Sequence, residues 1–93
     1  MSQMVTTVIP MDTPEALSRQ IATEVRTAME TAGLSQRDVA DATTIPLVTL
    51  NRRLVGGGKP FDLVELANVA GVLNLSVTEL VLRAERNLTK VAA

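Results

Sequence analysis

The chemistry open to this chain is bounded first by the residue types it lacks. It contains no His, Cys, Tyr or Trp. That removes the commonest general base and zinc ligand, thiolate ligands, disulfides and most cofactor-stacking groups. Ser, Thr, Lys, Asp and Glu remain, and their spacing assembles no paired carboxylates, metal cluster or activated nucleophile. No catalytic residue, no metal site, no cofactor and no small-molecule substrate is therefore expected. Ser35 and Ser76 each precede an acid by three residues, Asp38 and Glu79, and read as helix caps, since no base accompanies either hydroxyl. The run Gly56-Gly57-Gly58-Lys59-Pro60 has a superficial likeness to a phosphate loop, but it follows a helical pattern and its lysine precedes Pro, not Ser or Thr. Asn87-Leu88-Thr89 matches a glycosylation acceptor, which a cytoplasmic chain does not use.

What remains is recognition chemistry, and it is concentrated around residues 46–59. With Leu50 at the centre of a buried helical stripe, a period of about 3.6 residues turns Val48 and Arg52 outward and sets Thr49 and Asn51 on the flanks. These types read nucleic-acid bases well. An arginine fork suits guanine, an asparagine amide suits adenine, and a valine or threonine methyl suits the thymine methyl. Across residues 43–61 the ionisable side chains are Arg52, Arg53 and Lys59, with no acid among them. The start of the chain is different, setting Asp12, Glu15, Glu24 and Glu30 against Arg19 and Arg26. The net charge of −1 is not that of a general polyanion binder, so the pattern predicts one basic face on an acidic body.

Positioning such a face requires short helices, and the sequence marks their ends. Thr13-Pro14-Glu15 is a start signal, a cap followed by Pro and an acid. Leu17, Ile21, Val25, Ala28 and Met29 then recur at helical steps up to a terminating Gly33. Ser35 to Asp38 is a capping box opening a second helix whose small inner face is Val39, Ala40 and Ala42. Pro46 restarts a third as its first residue, Leu47, Leu50 and Leu54 form its stripe, and the glycines end it. Asp62 to Glu65 is a second box, leading Leu63, Leu66, Ala67, Val69, Ala70 and Leu73 into a fourth helix that Asn74 closes in the left-handed conformation. Ser76 caps a fifth, with Leu80, Ala84, Leu88 and Val91 along one side.

Ninety-three residues suffice for one domain with a single core. That core is aliphatic, since Phe61 is the only aromatic. The longest apolar runs are too short to span a bilayer and the first ten residues lack a basic start, so no membrane association is expected and the cytoplasm is the expected compartment. The one β-leaning stretch is residues 4–9.

In order, Gly33-Leu-Ser-Gln-Arg-Asp-Val-Ala40, Ile45-Pro-Leu-Val-Thr-Leu-Asn-Arg-Arg-Leu54, Pro60-Phe61, and Glu65-Leu-Ala through Leu80 resemble the phage-repressor and Cro-like (Xre-type) helix-turn-helix family over roughly three quarters of the chain. The resemblance implies an all-α, compact five-helix, lambda-repressor-like domain over residues 13–83, with an N-terminal arm of residues 1–12 and a C-terminal helical extension of residues 84–93. It implies base reading by Leu47, Val48, Thr49, Asn51 and Arg52, and backbone contacts by Gln36, Arg37, Thr44, Arg53, Gly58 and Lys59. The partner implied is double-stranded operator DNA. The surplus stripe of Leu88 and Val91 and the short half-site that one helix can read point to a homodimer: residues 84–93 either fold back or pair with a second subunit, and the arm is either flexible or adds residues 4–9 as a strand across the dimer. The function implied is a transcriptional regulator of phage or mobile-element type, a Cro-like or immunity repressor acting by operator occupancy. A DNA-binding antitoxin is the nearest variant, and a helical protein-interaction module docking through Leu47, Val48 and Leu50 is the rival from another class. The chain departs from the family at Thr44, which stands where glycine is usual and would be strained in a left-handed turn. It departs also at Arg53, which stands where an aliphatic is usual and is expected free for phosphate, and at Gly71 inside the fourth helix, where a close helix approach is expected.

Overall fold

The computed structural model describes residues 13–56 and 58–92, with side chains as far as residue 89. The readings of residues 1–12 as an arm or dimer strand, of Gly57 and of the Val91 side chain lie outside the described residues. Within them the chain is all-α, with helices α1 (Pro14–Ala32), α2 (Gln36–Ala42), α3 (Leu47–Val55), α4 (Leu63–Val72) and α5 (Val77–Ala92).

Four of the five helix starts are made by a side-chain cap, α3 being the exception. The Thr13 hydroxyl accepts from the Ala16 amide at 3.1 Å, and Ser35 with Asp38 and Asp62 with Glu65 form reciprocal capping boxes. Ser76 and Glu79 bond each other's backbone amides in the same manner, at 3.0 and 3.1 Å. The stops also follow expectation. Gly33 (φ 70°) and Gly56 (φ 81°) close α1 and α3 in the left-handed region, and Asn74 (φ 60°) does so after α4. Pro46 falls one place outside α3, as its cap (φ −60°, ψ 145°), where its missing N–H costs nothing.

The helices share one aliphatic core. Val25, Val39, Leu50, Val69 and Leu80, one from each helix, are fully buried. α5 packs along α1, and Ala84 is fully buried with Leu80. The helix runs unbroken through residues 83–84, so its C-terminal half continues the domain. Between α1 and α5 the buried Glu24 carboxylate accepts from Gln20 Nε2 at 2.9 Å and from the Asn87 amide. The residue that matches a glycosylation acceptor is thus a half-buried tether of α5.

Two inner faces differ from expectation. On α2, Val39 is buried and Ala40 half-buried, but Ala42 is exposed. On α4, Leu66, Val69, Ala70 and Leu73 point inward while Leu63 and Ala67 face outward. A ten-residue helix packed by one stripe has room inside for only part of an apolar set this large. Among the described residues no single helix is long and apolar enough to cross a membrane.

Candidate nucleic-acid interface

The unit that presents the candidate face is α2, a tight turn and α3. α2 begins at the Ser35 box, where the Ser35 hydroxyl accepts from the Asp38 amide at 3.0 Å and the Asp38 carboxylate accepts from the Ser35 amide at 2.9 Å. The bonds from Ser35 hold the Asp38 carboxyl below its ordinary value. The connection to α3 is not the left-handed turn that glycine would allow, since Asn74 is the only non-glycine with positive φ among the described residues. Thr43 is extended instead (φ −120°, ψ −175°). Its hydroxyl donates to the Val39 carbonyl at 2.9 Å and accepts from the Ile45 amide at 3.2 Å. This side chain does the work of the missing glycine, and Thr44 is exposed without left-handed strain. Ile45, buried in the core, pins the far side of the turn.

α3 is anchored on its inner side by Leu50 and Leu54, both buried. Its C-terminus is held from α1. The Arg26 guanidinium donates to the Leu54 carbonyl and, at 3.1 Å, to the Thr23 hydroxyl. Gly56 turns the chain away where a side chain would stand 3.5 Å from the Ala22 Cβ. Arg26 was not singled out by sequence, because its partner lies 28 residues away and is a main-chain atom.

On the outer side the expected residues divide. Val48 (64% exposed), Asn51 and Arg52 face outward, while Leu47 and Thr49 are half-buried at the edges of the stripe. Asn51 Nδ2 donates to the Oε1 of Gln36 at 3.1 Å, joining the first residue of α2 to the middle of α3. That bond leaves Asn51 its carbonyl oxygen and a second N–H, the donor–acceptor pair an adenine edge requires. Arg37, Gly58 and Lys59 are exposed. Thr49, Asn51, Arg52, Arg53, Gly58 and Lys59 line an open cleft of about 560 Å³ between α3 and the following loop.

Arg53 is not free. Its Nε and Nη2 donate to both carboxylate oxygens of Glu65, at 2.9 and 3.3 Å, in a forked ion pair with both side chains mostly buried. Glu65 also accepts from the Asp62 amide at 3.0 Å, so one carboxylate closes the α4 box and fixes α3 to α4. The Arg53 bond holds the Glu65 carboxyl below the usual range and raises the guanidinium in turn. The separation of twelve residues gave this pairing no local signature.

The cations left exposed on this side are Arg37, Arg52 and Lys59. The Leu47, Val48 and Leu50 docking surface is incomplete, because Leu50 has no exposed area. A short rigid helix with an uncharged methyl, an amide and a guanidinium on its outer face can make directional hydrogen bonds to a polar, anionic surface. Compared with known proteins, the chain matches no protein-family model, no curated protein and no solved structure.

Proposed function

We propose that this protein is a sequence-specific DNA-binding regulator of the helix-turn-helix type, with α3 as the helix that enters the major groove. The observation that carries the reading is the outer face of α3. Val48, Asn51 and Arg52 stand exposed on a helix whose opposite face is fully buried, and Asn51 is oriented by Gln36. Base readout needs such held donors and acceptors with no acid beside them. On this reading Leu47 and Thr49 contribute at the edges of the face. Gln36, Arg37, Thr44, Gly58 and Lys59 meet the sugar-phosphate backbone, and the protein acts in the cytoplasm by occupying an operator, as a repressor of Cro-like or immunity type.

The experiment is selection of bound fragments from a random duplex library at near-physiological salt with nonspecific competitor. An enriched motif supports the reading. No enrichment from folded, helical protein overturns it.

A second reading draws on Val48 and Val55, the large apolar side chains exposed along α3. In that case the same helix docks on a protein, as an interaction module or as an antitoxin that binds both its toxin and DNA. A stoichiometric protein partner displaced by Val48→Arg supports it.

A further inference from the structure

α4 carries apolar side chains on both sides, and only one side packs against the other described residues. Leu66, Val69, Ala70 and Leu73 enter the core. On the opposite side Leu63 (70% exposed), Val64 (71% exposed), Ala67, Asn68 and Gly71 form a face two turns long without an ionisable group. The one charged residue of the helix, Glu65, is engaged by Arg53. Exposed positions on the other helices include charges: Glu15, Arg19 and Glu30 on α1, Arg37, Asp38 and Asp41 on α2, Arg52 on α3, and Glu85 and Arg86 on α5. Gly71 adds a second anomaly. A Cβ there would meet nothing within 4 Å, so the close helix approach expected of this glycine does not occur among the described residues. A glycine within a helix nonetheless destabilises it relative to alanine.

We propose that this face of α4 joins a second copy of the chain, two copies of α4 crossing about a two-fold axis near Ala67 and Gly71. A two-fold sets like residues against like, so an ionisable group at the centre would meet its own charge. This face has none, and its one polar side chain, Asn68, is an amide that can both donate to and accept from its own copy. Gly71 lets the partner helix come close, as small residues do at helix crossings. α5 is the less suitable surface, because Ala84 and Asn87 are committed to α1. The inference deepens the DNA-binding reading and rests on it, since Arg53 and Glu65 bind α4 to α3 and so place the axis beside the helix that reads DNA. α4 has ten residues, about 15 Å of helix, so the contact is smaller than a standard interface and the dimer is weak off DNA.

The chain has no cysteine, which permits a clean test. Val64, Ala67, Asn68 and Gly71 are each replaced by Cys, with Thr27→Cys on the exposed side of α1 as control, and covalent dimer is followed under mild oxidation without DNA. A disulfide needs Cβ atoms about 4 Å apart, so at least one α4 variant should cross-link about tenfold faster than the control. Adding Val64→Arg to the fastest of the other variants should remove the excess while the circular dichroism stays helical. Rates equal to the control at all four positions overturn the proposal and assign the face to a different occupant. Rapid cross-linking without an enriched DNA motif keeps the dimer and removes the operator. An enriched, unsymmetric motif with control-level cross-linking does the reverse.

Discussion

Arg52 and Arg53 are neighbours of one chemistry with different surroundings. Arg52 is exposed on the outer face of α3, whereas Arg53 is forked onto Glu65. Their replacement by alanine should therefore fail in different ways. Arg52→Ala should cost about 1–3 kcal/mol on the preferred duplex and relax selectivity at one base pair, read by titration against that duplex and its single-base variants. Equal losses on preferred and random duplex would reassign Arg52 to phosphate. Arg53→Ala should lower the thermal midpoint more than it alters selectivity, because it strips the partner from a mostly buried carboxylate. On the proposed reading, Lys59→Ala should weaken all duplexes evenly, as expected of an exposed charge on the loop that follows α3.

Helix ends are where sequence and structure agree most closely. Thr13, Ser35, Asp62 and Ser76 cap as read, and Gly33, Gly56 and Asn74 take the left-handed conformation as read. Caps and terminators act within four residues, so adjacent letters suffice to identify them. The ties between elements act across 12 residues for Arg53 and Glu65, 28 for Arg26 and the Leu54 carbonyl, and 63 for Asn87 and Glu24. No local pattern encodes those pairs, and for the same reason Leu63 and Ala67 could not be separated from the inward apolar residues of α4. Ser35→Ala should cost about 1 kcal/mol in urea unfolding, since it removes the bond to the Asp38 amide. A pH dependence follows from the same scale. Asp38 and Glu65 are both held below their ordinary values in the folded chain, so their stabilisation is complete above the unfolded carboxylate range of about 4 and is lost as pH falls through the lower folded values. The urea midpoint should be insensitive to these two groups near neutrality and should fall in acid. Glu65→Gln should lower the midpoint at pH 7 and flatten part of that decline.

Over the whole molecule the charges are arranged rather than accumulated. The chain is nearly neutral, yet residues 43–61 hold only cations, and one of these is neutralised by an acid from the next helix. Affinity for DNA should therefore depend on salt only moderately. If each subunit of a dimer meets phosphate through Arg37 and Lys59, about four phosphates are neutralised, and log K against log salt should slope at about −3 to −4 for duplex DNA. Arg53 tests whether the pair with Glu65 survives on DNA. A slope near −5 or −6 would mean that both copies leave the carboxylate to join phosphate. Glu65→Gln brings about that state deliberately, because a neutral amide cannot hold the guanidinium in a forked ion pair. The variant should then bind random duplex more tightly than the parent at low salt and show a slope steeper by about two for the dimer. Its selectivity should fall, since the added affinity carries no base information. An unchanged slope, with folding confirmed at the temperature of the titration, would mean that Arg53 lies too far from the backbone to reach it, leaving Glu65 a structural role only.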